Sequence, residues 1–214
     1  MSQGPLIAVD VLTDIVCPWC YIGKRRLAKG LSLRPAARYE VRWHPFQLDP
    51  SIPSGGLDRQ EYLRAKFGED GRVEAIHERL RELGREDGID FAFERITRSP
   101  NTLDAHRLVR LAVTPELQAN LMERLFELYF VEGQDIGDRV VLADAAASVL
   151  ELDPGEIHAF LAGDGGVEDV RRAVDAARNA GIDGVPCAII GGKYALMGAQ
   201  SPETIASAID HFLG

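Results

Sequence analysis

Val16-Cys17-Pro18-Trp19-Cys20-Tyr21 decides the fold of this chain, because it closes an apolar, β-branched run over residues 6–16 and opens a helix-forming run over residues 21–31. A strand that feeds a Cys-x-x-Cys and then a helix puts the first cysteine at the helix N-terminus. With the helix starting at Pro18, Cys17 is its N-cap. There, unpaired backbone N–H groups and the positive end of the macrodipole stabilise a thiolate. Pro18 suits the first turn, since it lacks only an N–H that would be orphaned anyway and its φ is preset. Cys20 follows three residues on and faces Cys17. One sulfur at an exposed helix end and a second, more buried one are arranged for thiol–disulfide exchange: Cys17 attacks and Cys20 resolves the mixed disulfide.

Other uses of such a motif fit less well. Zinc takes about four ligands, yet no second Cys-x-x-Cys is present and His44, His77, His106, His158 and His211 stand singly. A structural disulfide here would close a very short loop, whereas cross-linking stabilises more as the loop lengthens. With 3 cysteines there is no disulfide scaffold. Met1-Ser2-Gln3-Gly4-Pro5 lacks the basic and apolar regions of a secretory signal, and no apolar run reaches transmembrane length. We therefore expect a cytoplasmic protein without a membrane partner. A net charge of −9 disfavours nucleic acid, which rewards basic patches. The expected chemistry uses a redox-active disulfide and needs no metal and no bound cofactor.

With 214 residues and 46% hydrophobic content, the chain can bury a substantial core. Leu6-Ile7-Ala8-Val9-Asp10-Val11-Leu12 reads as a strand, residues 21–31 as a helix and residues 39–46 as a second strand, which makes a βαβ unit. Pro50, Pro53, Gly55 and Gly56 mark a break. Beyond it the period is helical: Val73, Ile76, Leu80 and Leu83 share one face, as do Leu117, Leu121, Leu125 and Leu128. A further helix over residues 167–180 ends at Gly181, a suitable C′ residue. Gly184-Val185-Pro186 follows, then apolar runs over residues 187–190 and 194–197 separated by Gly191-Gly192. Ser201-Pro202 opens a closing helix over residues 204–213. The order β-α-β, helices, α-β-β-α predicts an α/β chain with a thioredoxin fold interrupted by an all-helical insertion. The expected boundaries are residues 1–50 with 167–214 for the thioredoxin-like domain and 51–166 for the insertion.

Four stretches together resemble the FrnE-like branch of the DsbA family over nearly the whole chain. They are Asp14-Ile15-Val16-Cys17-Pro18-Trp19-Cys20-Tyr21-Ile22-Gly23-Lys24, Ser99-Pro100-Asn101-Thr102 with Ala105-His106-Arg107, Gly184-Val185-Pro186, and Gly198-Ala199-Gln200. The resemblance implies a dithiol–disulfide oxidoreductase or isomerase acting on protein or small-molecule thiols, with glutathione as a candidate co-substrate. It also implies a cis Val185-Pro186 bond, with Pro186 near the Cys17 sulfur and the Val185 N–H and C=O open to an extended peptide or glutathione. Pro18, Trp19 and Asn101 are the further substrate-binding candidates, Asn101 with Thr102 and His106 from the inserted domain's motif; the alternative is local, with Asn101 or Thr102 a helix N-cap and His106 an ordinary helical residue. DsbA-like oxidants often carry histidine where Trp19 stands, so a less oxidising couple is expected. Kappa-class glutathione transferases and 2-hydroxychromene-2-carboxylate isomerases are similar in architecture, and generally carry serine at the position of Cys17. A glutathione-dependent transferase or isomerase is therefore the alternative reading.

The remaining candidates come from position alone. Asp14 and His44 lie near the ends of parallel strands, the edge where such sheets place chemistry, so either could move protons with Cys20 or be a solvated strand-end charge. Lys24, Arg25 and Arg26 read as a solvated helix face. Cys187, directly after Pro186, reads as a small buried apolar residue, with a third thiol near the active pair as the alternative.

Overall fold

A computed structural model describes residues 5–69 and 71–214, so the leader-free N-terminus expected over residues 1–4 lies outside the described residues. Alternation in Leu6–Thr13 (β1) reflects a face that is wholly covered: Ile7, Val9 and Val11 are no more than 4% exposed. Pro18–Ser32 (α1) begins with the proline at its first position, as the sequence predicts. Arg38–Pro45 (β2) lies parallel to β1, with Leu12 opposite His44 and Thr13 opposite Pro45. The chain divides after Leu48 and after Arg172 into two compact units, Met1–Leu48 with Ala173–Gly214, and Asp49–Arg172.

Within Asp49–Arg172 a two-residue ladder pairs Leu57–Asp58 (β3) with Arg98–Ser99 (β4). Around it stand Arg59–Phe67 (α2), Arg72–Glu86 (α3), Leu103–Leu111 (α4), Pro115–Phe130 (α5), Arg139–Leu150 (α6) and Pro154–Ala162 (α7). The stripe on α5 is core: Leu121 and Leu125 are fully buried and Leu128 is 6% exposed. The stripe expected on α3 is covered only in part, since Leu80 is buried but Ile76 is 37% exposed. Buried aromatic side chains fill the centre, with Phe93 stacked on Phe91 and Phe130 edge-on to both.

The remaining elements return to the first unit. They are the later part of Val167–Asn179 (α8), then Cys187–Ile190 (β5), Tyr194–Met197 (β6) and Pro202–Leu213 (α9). Gly181, at φ +81°, lets the chain leave α8, as its position in the sequence predicts. The sheet runs β2-β1-β5-β6, with β5 antiparallel to both of its neighbours. Its two faces are distinct. Val11 opposes Ala188 and shares a face with Thr13, toward α1 and α9; Leu12 opposes Cys187 and packs with Phe46 and Ala177 of α8 on the other. Helices α1 and α9 approach closely at Gly30, where a Cβ would stand 2.7 Å from Ile205.

Candidate active site

The turn from β1 into α1 is closed by the Cys17 N–H, which donates to the Asp14 carbonyl at 3.0 Å. Cys17 then sits at the N-cap in extended conformation, φ −94° and ψ 111°, and no acidic residue occupies the first turn of α1. The local field at Cys17 is therefore that of a helix N-terminus with no carboxylate in that turn to oppose it. The Cys17 carbonyl accepts the N–H groups of Cys20 at 3.0 Å and Tyr21 at 3.4 Å, so α1 is hydrogen-bonded from its N-cap onward. Cys17, Cys20 and Cys187 are free thiols.

The expectation of an exposed Cys17 is corrected: the residue is only 4% exposed, against 2% for Cys20. What stands out to solvent is the spacer, since Trp19 is 37% exposed. The sulfurs differ in setting. Burial, foremost, raises the Cys20 thiol well above its ordinary pKa, and the neighbouring Cys17 adds to this. The Thr13 hydroxyl and the Asp14 backbone pull the other way, although Thr13 Oγ1 has no hydrogen-bond partner of ordinary geometry. A void of about 20 Å³, lined by Thr13, Gly23 and Pro186 among others, lies against Cys20.

Val185 and Pro186 arrive at the same place from the far end of the chain. Their peptide bond is cis, as the resemblance implies. The Cys17 thiol lies 3.6 Å from the Val185 carbonyl oxygen and donates to it, while the Pro186 carbonyl accepts the Gly198 N–H at 2.8 Å. The resemblance implies that both polar groups of Val185 are open; in the dithiol form its carbonyl is instead engaged by the thiol. Pro186 is seated directly on α1, because Gly23 leaves the space that a Cβ would occupy 2.8 Å from the proline Cγ.

Asp14 is 1% exposed, and its Oδ2 accepts the Leu48 N–H at 2.8 Å, so it is a buried anchor for the chain leaving β2 and not a solvated strand end. His44 is in register with Leu12, which turns it to the face opposite Thr13 and Cys20. Its Nε2 lies 2.8 Å from Asp10, whose other oxygen accepts from Arg42 at 2.9 Å. That face does not serve a proton exchange with Cys20. Cys187 points the same way, fully buried against Leu12, Phe46 and Ala177, and burial raises its pKa. The basic residues after the motif are not merely solvated: Arg26 donates to the Ala199 carbonyl at 3.1 Å, and Arg25 lies over the Tyr21 ring.

Asn101 belongs to the other unit. Its amide donates to the Ile52 carbonyl and its oxygen accepts the Leu103 N–H at 2.9 Å, which opens α4 as a local cap would. Thr102 and His106 are 3% and 2% exposed. Sequence reasoning passed over the role of Arg107, whose buried guanidinium donates to the carbonyls of Phe160 and Gly165, both at 2.7 Å, and pairs with Asp104 at 2.6 Å. It satisfies the orphan carbonyls at the end of α7. No group of three or more His, Cys, Asp or Glu among the described residues could hold a metal ion, and no helix of theirs is long and apolar enough to cross a membrane.

Residues 8–210 match the DSBA-like thioredoxin domain. The chain belongs to that family. Among solved structures it is similar to a probable DsbA oxidoreductase from Streptomyces coelicolor, 28% identical with a TM-score of 0.86, over 97% of this chain and 90% of that one. It is also similar to a 2-hydroxychromene-2-carboxylate isomerase, at 17% identity and TM-score 0.72 over 96% of both chains. A third likeness is to the cytosolic disulfide reductase DsbM from Pseudomonas aeruginosa, solved with GSH, at 18% identity and TM-score 0.65 over 96% of this chain and 98% of that one. The fold is thus the DsbA-like thioredoxin fold with its helical insertion, and DsbA-like relatives act on thiols and disulfides.

Proposed function

We propose that the chain is a thiol–disulfide oxidoreductase in which Cys17 attacks and Cys20 resolves. The observation that carries this reading is the asymmetry of the pair: two free thiols on one helix turn, with Cys17 at the N-cap and Cys20 raised by burial. As a reductase, the Cys17 thiolate attacks one sulfur of R–S–S–R′, forms Cys17–S–S–R and expels R′S⁻, which takes a proton. Cys20 then gives up its proton and attacks the Cys17 sulfur, expelling RS⁻, which is protonated in turn. Two electrons and two protons pass to the substrate, and the Cys17–Cys20 disulfide remains. Run backwards, the same steps oxidise a dithiol. Pro186 shapes the floor of the site, Val185 offers backbone to an extended substrate, and Pro18 and Trp19 form the rim. Likeness to a cytosolic reductase solved with glutathione supports small thiols as partners and a reducing compartment as the setting.

Trapping tests this directly. Cys20→Ser should leave Cys17 joined to its substrate in adducts released by dithiothreitol, while Cys17→Ser should give far fewer and should abolish insulin-disulfide reduction. The glutathione-dependent isomerase reading, supported in fold by the chromene carboxylate isomerase, needs no resolving thiol. Undiminished isomerase or conjugation turnover in Cys20→Ser, with glutathione alone on Cys17, would establish it instead.

A further inference from the structure

We infer that the proton on Cys17 and the backbone of an incoming substrate compete for one acceptor, the Val185 carbonyl, so that substrate backbone is held best when Cys17 is a thiolate or is joined to Cys20. The inference rests on the oxidoreductase reading and adds a coupling between binding and redox state. Its basis is local. The Cys17 thiol donates to the Val185 oxygen at 3.6 Å. The next carbonyl along, that of Pro186, is already committed to the Gly198 N–H at 2.8 Å. Pro186 has no N–H of its own, and from Cys187 onward the chain is committed to the β5 ladder with β1 and β6. Ahead of Pro186 and that ladder, then, Val185 supplies the backbone acceptor for an added strand, and in the dithiol form a thiol proton rests on it.

Loss of that proton by ionisation makes the sulfur nucleophilic and vacates the carbonyl in one event. Formation of the Cys17–Cys20 bond also vacates it, because a disulfide sulfur has no proton to donate. An enzyme that has just been reduced by its substrate regains the thiol and reclaims the acceptor, which hastens product release. Because binding effects are reciprocal, a backbone N–H on Val185 favours the deprotonated sulfur in turn. A carbonyl has two lone pairs and S–H is a weak donor, so the effect is graded, several-fold and not all-or-none.

The test uses S-methylglutathione, which presents a peptide backbone but cannot exchange. It is titrated by calorimetry, with the Val185 amide followed by NMR, at acidic pH where a thiol keeps its proton. Four forms of the full chain are compared: disulfide, dithiol, Cys17→Ala and Cys17→Ser. The disulfide form and Cys17→Ala should bind several-fold more tightly than the dithiol, and Cys17→Ser, which keeps a hydroxyl donor, no more tightly than the dithiol. Equal affinities across the four, binding that follows side-chain size, or no binding to any form would each overturn the inference. Insulin reduction by the unmodified chain is measured alongside. Turnover with equal affinities sinks only the competition, whereas absence of turnover sinks the oxidoreductase reading itself.

Discussion

At Gly23, a side chain is opposed by a ring that cannot rotate away as an open side chain would. An alanine Cβ would meet Pro186 Cγ at 2.8 Å and Cβ at 3.4 Å, and the proline ring can yield only by a change of pucker. Gly23→Ala should therefore shift Pro186 relative to Cys17, with overpacking costing roughly 1–3 kcal/mol. Insulin-disulfide reduction is expected to fall further than thermal stability does, and a folded variant of full activity would contradict the placement of Pro186 in the site. Cys187 is the opposite case. It is one residue from Pro186 yet faces α8, so Cys187→Ala should cost on the order of 1 kcal/mol in denaturant unfolding and leave the redox potential of the Cys17–Cys20 couple unchanged. A shifted potential, or a disulfide to Cys187 in the oxidised protein, would show that the sheet does not separate them.

Among elements, α1 fits closely against α9. An alanine Cβ at Gly30 would stand 2.7 Å from Ile205 Cβ and Cγ2 and 3.0 Å from the Pro202 carbonyl. Gly30→Ala should lower stability by roughly 1–3 kcal/mol, visible as a lower denaturant midpoint with the slope unchanged. The ends of the chain were legible because their signals are local: Pro18 opens α1, Ser201 caps α9 through the Thr204 N–H, and Gly191-Gly192 separates β5 from β6. Inside Asp49–Arg172 the start signals of α6 and α7 are present in Asp138 and Asp153-Pro154, both of which cap. The apolar stripes on α3 and α5 do not point to them. The β3–β4 ladder could not have been read, since two residues per strand have no period. His44 and Cys187 illustrate the limit at the site. Period two says which residues of one strand share a face, but only the register with β1 says that this face is not the one carrying Thr13 and Cys20.

For the molecule as a whole, two titrations, one of the buried Cys20 and one of the half-buried His77, set opposite limits on stability. Cys20 has a raised pKa in the fold, so the unfolded chain loses this proton first as pH rises. Stability of the dithiol protein should hold below the ordinary thiol range, about 8.5, and decline above it; the disulfide form should lack that decline. His77, stacked on Phe93 at 4.1 Å and lowered by burial and then by the charges of Arg59 and Arg81, has a pKa of about 4. Its contribution is present above the ordinary value of 6.5 and is lost as pH falls toward 4. Chemical denaturation of His77→Phe across that window should show a shallower acid limb. Following either titration requires knowing the oxidation state of the sample, and the exposed spacer of the motif provides it. Of the 2 tryptophans, Trp43 is buried at 9% exposure on the sheet, while Trp19 lies between the two cysteines of the motif. An indole beside a bond that opens and closes is a built-in fluorophore: emission should change between dithiol and disulfide, persist in Trp43→Phe and vanish in Trp19→Phe, so the chain reports its own electron count without a dye.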